Sequence, residues 1–563
     1  MILPIPIGVV DFRSLREQRL EYIDKSHLIR ELLDRGAQVV LLPRPRRFGK
    51  TLNLSMLRYF FEKRDEDLTP LFADLSIWQA GDPYRAHFQR HPVIHLTFKG
   101  VKFEHYEPAW AAIRKKIQIL FDEHRHVLEG DLLSEREARD YRAILDGATE
   151  PVLYHRALLD LSAYLHRLHG EKVVLLIDEY DEPIHAGYLH GYAAPMLEFC
   201  RAFLTESLKD NPHVFKAVLT GILRIARESI FSGLNNLAVY SLLRQEFSDC
   251  FGFTEAEVLS LLERAGRSDL LEPVRSWYNG YVFGGKTVYN PWSILNFIAS
   301  DDKLLRGYWV STSANDLVRD LLVHHALDVE ADMAALLEGD AIERRVDENV
   351  VLTDLRDRPD ALYDLLVFSG YLKAEAGSGV PGEEPAYRLS IPNREVREVY
   401  AGTFRRWMES QLDGHRGSLR KLTSALLEGD AELLEEQIQT FVINLLSYQD
   451  PAGVDPERVY HGFVVGLLAV MEPAYQVRSN RESGRGRPDV MIRPTQAGQP
   501  GVVLELKVAK PPRRTMEQVL EEGATQLQEK AYGAELRAAG ATPVHAFVVA
   551  FDGKIVRVRR VDG

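Results

Sequence analysis

At 563 residues the chain is too long for a single ordinary core, and its length suggests roughly three or four domains. Hydrophobic residues make up 45% and charged residues 27%, a composition that excludes a disordered chain. The net charge of −13 excludes a surface that attracts polyanions everywhere, so any nucleic-acid binding needs local basic patches. Two cysteines, Cys200 and Cys250, exclude a disulfide framework and a four-thiolate zinc site. Buried thiols in a reducing cytoplasm are expected. The opening run MILPIPIGVV lacks a basic region and meets Asp11 too soon for a signal peptide. The apolar stretch from Phe463 to Met471 is about half of what a bilayer span needs. A cytoplasmic protein without membrane attachment follows.

In chain order, residues 38–43 (QVVLLP) read as a short strand that ends at a basic, glycine-containing loop. An amphipathic helix follows over 50–62, with Leu52, Leu54, Met56, Leu57 and Phe60 on its buried side. Strand-like runs recur at 92–98, 172–178 and 214–220, separated by helical patterns at 107–125, 133–147, 152–168 and 190–208. Apolar strands alternating with helices predict a parallel sheet covered on both faces. From about 250 to 405 the pattern is mostly helical with a few short strands. A helical connector including 431–447 comes next. Residues 455–563 then read helix, strand (490–493), strand (502–506), helix (515–537), strand (543–550) and a short strand near 555–559. Gly- and Pro-rich stretches at 376–385 and 494–501 predict turns.

The loop Arg44-Pro45-Arg46-Arg47-Phe48-Gly49-Lys50-Thr51 has a strand before it and a helix after it. That is the setting in which backbone N–H groups and a helix N-terminus converge on phosphates. Arg44, Arg46, Arg47, Phe48 and Gly49 form the expected cradle. Lys50 would reach the β- and γ-phosphates, and the Thr51 hydroxyl would ligate magnesium. The generic loop begins with glycine where this one has Arg44. The run 173–179 (VVLLIDE) ends an apolar strand in two acids: Asp178 for the magnesium shell and Glu179 to polarise water. Thr220, at the end of the 214–220 run, is placed to sense the γ-phosphate, and Arg224 or Arg227 to neutralise transition-state charge. ATP and Mg2+ are the implied cofactors.

Near the other end, Asp489 and Glu505 lie sixteen positions apart in a P-D-x15-E-x-K layout. The first acid precedes one strand, and the second shares a face of the next strand with Lys507, because strand side chains repeat every two residues. Two carboxylates held this way can bind a divalent cation beside a phosphodiester, and Lys507 can orient water. The Leu506 carbonyl and Glu482 are further candidate ligands, and an all-oxygen set favours Mg2+ or Mn2+. Arg478, Arg481, Arg485, Arg487 and Arg493 surround the first acid as a local basic patch.

The runs RPRRFGKT, LLIDEYDEPI, TGILRIARESIFSGLNNL and WYNGYVFGGKTVYNPWSIL resemble the hallmark motifs of the bacterial and archaeal AAA-ATPase-like family. Members of that family also carry arginine at the first loop position and typically end in a nuclease-like domain of the PD-(D/E)XK superfamily. The resemblance implies a lid module containing Tyr278, Asn279, Gly280, Tyr281, Asn290, Pro291 and Trp292. Similarity to the exonuclease V-like branch implies a metal-binding helix histidine, His461 here. It also implies a Gln-x-x-x-Tyr pair that meets nucleic acid, Gln528 and Tyr532, with Gln526 and Lys530 as competing positions.

The expected fold class is α/β. A P-loop ATPase sheet spans 1–250, a helical lid and winged-helix-like middle region 251–405, a helical connector 406–454, and a restriction-endonuclease-like α/β domain 455–563. The resemblance implies an ATPase that gates a metal-dependent nuclease and suggests a setting in defence against mobile elements or phage; the expected partners are nucleic acid, DNA favoured over RNA, and further copies of the chain in a homo-oligomer. Arg481, Arg485 and Arg487 would meet the nucleic acid. The alternative is an ATP-driven signalling or assembly switch whose nuclease-like domain binds nucleic acid without cutting it. A repair motor fits less well, since no helicase motif set follows the second acidic strand.

Overall fold

The structure, a computed structural model, describes residues 4–223, 234–309, 318, 321–322, 325, 329–349, 355, 358–377, 386–400, 402, 417–445, 456–468, 471, 474–479, 488–511, 514–530 and 532–561. The chain divides into two compact units, Met1–Val318 with Glu343–Glu395, and Arg319–Ile342 with Val396–Gly563.

The first unit is built on β1 (Val39–Pro43), β2 (Val93–Thr97), β3 (Val173–Asp178), β4 (Val214–Gly221) and β5 (Leu237–Val239). All neighbouring pairs run parallel, in the order β2-β3-β4-β1-β5. Every residue of β1 and β3 is buried, which explains their unbroken Val/Leu/Ile runs. A strand covered on both faces has no polar side to alternate with. The four anticipated runs correspond to β1–β4. Only β5 escaped the sequence, because three residues of LAV carry no readable period.

Placement of β4 between β1 and β3 decides the site. Pairing of Leu42 with Thr220, and of Ile177 with Leu219, brings the ends of three strands to one edge. The helix Lys50–Phe61 leaves β1 there and buries Leu54, Met56, Leu57 and Phe60. Each such apolar side chain contributes about 1.5–3 kcal/mol when fully buried. Beyond the sheet, the helices Glu255–Arg264, Leu271–Tyr278 and Pro291–Ala299 enclose Val258, Leu261, Tyr278, Tyr289 and Phe297. Tyr281–Phe283 and Lys286–Val288 form a small antiparallel hairpin beside them.

The second unit holds a five-stranded mixed sheet of Tyr475–Ser479, Val490–Pro494, Gly501–Val508, Val544–Asp552 and Ile555–Val561, in chain order. Only Gly501–Val508 and Val544–Asp552 pair in parallel. Their crossover is the helix Met516–Lys530, followed by Gly533–Ala538 where one helix over 515–537 was expected. Strand Tyr475–Ser479 was not anticipated. On one face, Phe441, Phe463 and Leu467 pack against Val490, Ile492, Leu504 and Leu506. On the other, Val519, Leu520 and Leu527 pack against Met491, Val503 and Val548. The alternation 502/504/506 against 503/505/507 therefore turns Glu505 and Lys507 toward the helix Met516–Lys530.

Both cysteines are buried free thiols. Among the described residues no helix is long and apolar enough to cross a membrane.

Candidate functional sites

In the first unit the chain leaves β1 through Arg47, whose φ is 67°, and Gly49, whose φ is 86°. Gly49 is the N-cap of the helix Lys50–Phe61, and only glycine enters that left-handed region at no steric cost. The first helical turn lines a cavity of about 420 Å3 together with Arg46, Arg47, Glu179 and Trp292, among others. The Lys50 ammonium donates to the carbonyls of Arg44 (2.8 Å) and Pro45 (2.9 Å), so the lysine is folded against its own loop. Burial lowers its pKa, opposed by the nearby Glu179, Asp178 and Asp181 charges.

Asp178 is fully buried and accepts two hydroxyl hydrogen bonds, from Thr51 Oγ1 at 2.7 Å and Thr220 Oγ1 at 2.5 Å. One carboxylate thus joins the ends of β1, β3 and β4. Glu179 adopts φ 52° and lines the cavity; burial and the adjacent Asp178 raise its pKa. Arg47 lies over the Trp292 ring at 4.1 Å, and Pro291 lines the cavity beside it. Asn290 caps the helix Pro291–Ala299 through its carboxamide oxygen, with the Trp292 N–H at 2.9 Å. Tyr278 and Tyr281 are buried in the packing of this module.

Arg44 is a correction. It was expected among the nucleotide contacts, yet its side chain is fully buried and donates to the carbonyls of Pro43, Tyr240 and Phe247 at 2.7, 2.7 and 3.1 Å. It also sits over Phe251 and Phe283. A guanidinium held in this way braces the loop from behind. Phe48 is likewise buried, against Tyr281 and Phe283. Arg224 and Arg227 lie outside the described residues.

Sequence reasoning passed over a second acid pair in LLIDEYDEPI. Asp181 is buried and accepts the N–H groups of Ile222 (2.8 Å) and Leu223 (3.0 Å), fixing the turn after β4. Gly221 allows this approach: a Cβ there would meet Asp181 Oδ1 at 2.7 Å. Glu182 accepts the Gly100 N–H at 3.0 Å and pairs with Lys102 at 2.7 Å. The repeated D-E was the available signal.

In the second unit, Val490 pairs with Leu504 in an antiparallel ladder, which sets Asp489 opposite Glu505. Asp489 Oδ2 accepts the Leu506 N–H at 2.7 Å. Glu505 is 1% exposed; its Oε1 accepts from Lys507 Nζ at 2.6 Å. Its buried Oε2 has no hydrogen-bond partner among the described residues. Burial raises the Glu505 pKa, and the Asp489 charge adds to this, partly opposed by Lys507. A buried carboxylate oxygen without a donor, beside a second carboxylate, is the environment that a hard divalent cation relieves. The donor set fits such an ion.

His461 lies beside the acid pair, whereas Gln526 rather than Gln528 meets Lys507, and Tyr532 is buried. His461 Nε2 lies 3.2 Å from the Asp489 backbone carbonyl. That contact steadies the Asp489 turn through one ring nitrogen, the way a metal-binding histidine is commonly oriented through the nitrogen that does not meet the ion. Gln528 is exposed, while Gln526 Oε1 accepts from Lys507 Nζ at 3.1 Å. Tyr532 is buried in the apolar cluster around Val519 and Leu536. Glu482, Arg481, Arg485 and Arg487 lie outside the described residues. Arg478 is half exposed and lies 3.7 Å from Glu535.

A loop-bearing strand separated from an acid-bearing strand by a third, with a cavity at their shared edge, defines a phosphate-binding-loop NTPase fold; the second unit's acid–lysine sheet is of nuclease type. Residues 6–231 match the family described as Predicted AAA-ATPase, and residues 455–560 match the PD-(D/E)XK nuclease superfamily. The chain thus carries one region similar to predicted AAA-ATPases and another similar to the PD-(D/E)XK nuclease superfamily. It is also similar to a protein of Azotobacter chroococcum mcd 1 described as an uncharacterized protein in the vnfD 5′ region. The two are 29% identical over 395 residues, 70% of this chain and 68% of that one.

Two expected results follow from the second site. Gln526→Ala should lower metal-dependent activity by about 10-fold, as loss of a partner to a site residue does, and Gln528→Ala should leave it unchanged. Rate assays on the two variants decide this; the reverse ranking would restore Gln528. Apparent Mn2+ affinity should rise with pH, because a carboxylate with a raised pKa holds a competing proton into the range above its usual 4.5. Titrations from about pH 5 to about pH 7 should show the slope in the wild type and not in Glu505→Gln. A flat wild-type profile would remove Glu505 from the ligand set.

Proposed function

We propose that this chain is a nucleotide-dependent nuclease: ATP bound at Lys50, Thr51 and Asp178 gates cleavage of nucleic acid at Asp489, Glu505 and Lys507. The observation that carries the reading is the buried, partnerless Oε2 of Glu505 beside Asp489 and Lys507. Asp489 and Glu505 would hold Mg2+ or Mn2+, with the Leu506 carbonyl nearby. A divalent cation there supplies Lewis acidity and lowers the pKa of bound water. Lys507, held between Glu505 and Gln526, orients the attacking water and balances charge on the phosphate. In hydrolysis one P–O bond forms from water and one breaks, and the leaving oxygen takes up a proton.

At the nucleotide site, Thr51 and Asp178 would hold Mg2+, Thr220 would report the γ-phosphate through Asp178, and Glu179 would accept a proton from water. Arg46, Arg47, Phe48 and Gly49 complete the loop. DNA is the preferred substrate class in this reading. Action in the cytoplasm, in a homo-oligomer, against mobile elements or phage is the setting that the family likeness suggests. The test is a panel of labelled DNA and RNA incubated with the full chain, with and without ATP and Mn2+. Metal-dependent cleavage that changes with ATP supports the proposal. Retention of nucleic acid without cleavage under every condition replaces it with the ATP-driven switch.

A further inference from the structure

The acid pair Asp181-Glu182 has no assigned task in hydrolysis, and neither does the lysine it holds. The acids lie three and four residues past the end of β3, and Glu182 opens the helix Glu182–His190. Glu182 is 7% exposed, so its carboxylate loses most of its hydration on folding. What it gains is specific: the Gly100 N–H at 3.0 Å and the Lys102 ammonium at 2.7 Å, both in the turn after β2. Lys102 is half exposed while Glu182 is buried, and the hydration lost by such a pair offsets most of its mutual attraction. Stability alone is therefore a poor reason for this arrangement. Its geometric effect is plain, because Lys102 lines the same cavity as Lys50, Arg46 and Glu179.

Resting on the nucleotide-site reading above, we propose that Lys102 contacts the terminal phosphate of a bound nucleoside triphosphate and that Glu182 is the residue that positions it. The cation is thereby supplied from within the chain. Hydrolysis forms one bond from the water oxygen to the γ-phosphorus and breaks the bond to the β–γ bridging oxygen. The diphosphate leaves with that oxygen, and the water proton passes to Glu179. Charge builds on the transferring group and the bridging oxygen as this happens, and a fixed ammonium at that end of the cavity opposes it. Asp181 does the parallel work on the opposite strand, clamping the turn that follows Thr220. Burial and the nearby Arg46 charge push the Lys102 pKa down, opposed by the Glu179 charge.

The experiment measures kcat and KM for MgATP in the full-length protein, alongside binding of a fluorescent ATP analogue. Lys102→Met should lower kcat by about 100-fold while the analogue still binds, and Lys102→Arg should recover most of the rate. Glu182→Gln should lower kcat by about 10-fold, and adding it to Lys102→Met should cost nothing more, since both act through one contact. Wild-type kcat in Lys102→Met overturns this inference alone. Loss of analogue binding without loss of kcat assigns Lys102 to ground-state binding and also overturns it. A wild-type protein without Lys50-dependent turnover overturns the nucleotide-site reading and this inference together.

Discussion

Lys50→Ala is expected to reduce ATP turnover by about 100- to 1,000-fold and to abolish stabilisation by nucleotide. The ammonium is folded onto the carbonyls of Arg44 and Pro45 at 2.8 and 2.9 Å, which fixes it inside the loop proposed to receive the phosphates. Alanine removes the charge from the floor of the cradle and leaves those two carbonyls without this donor. The neighbouring Thr51–Asp178–Thr220 linkage does not depend on Lys50, so the fold should survive. MgATP at 100 times its Kd should stabilise the wild type by about 2.7 kcal/mol, and the variant by nothing measurable. Thermal unfolding with and without MgATP, together with phosphate release, reads both effects. Hydrolysis undiminished in the variant would refute the loop assignment.

The second large effect belongs to Asp489→Ala. Cleavage should fall by about 1,000-fold or more, because removing this acid takes away one of two candidate oxygen ligands and the acceptor of the Leu506 N–H together. The strand pairing of Val490 with Leu504 does not involve the lost carboxylate, and the apolar contacts on either face remain. An unchanged melting temperature with lost cleavage separates chemistry from folding. Lys507→Ala should behave similarly, since Lys507 is tied to both Glu505 and Gln526. Equal cutting by both variants and wild type would place the nuclease site elsewhere.

Both sites could be approached from sequence because each depends on short-range order. A buried parallel strand is a run of Val, Leu and Ile, and the loop or acid at its end follows within a few residues. Asp489 and Glu505 sit on adjacent antiparallel strands, so chain spacing alone sets them opposite each other. What escaped depends on register between distant segments. Lys102 meets Glu182 only because β2 lies beside β3 in the sheet. Gln526 and Gln528 differ by two helical positions, which is a rotation of about 200°, and no pattern of charge fixed the phase. Arg44 reads like any loop arginine until the carbonyls of Tyr240 and Phe247 arrive from 196 and 203 residues further along the chain. The contact of His461 is with a backbone carbonyl, which sequence never displays.

The account depends most on one cation shared by Asp489 and Glu505. Mn2+ binding followed by electron paramagnetic resonance, in wild type, Asp489→Ala and Glu505→Gln, addresses it without relying on catalysis. Nucleotide is left out, so that the site at Thr51 and Asp178 does not contribute through MnATP. The prediction is saturable binding in the wild type that is weakened by about 10-fold or more in each variant. Identical binding curves in all three proteins would contradict it.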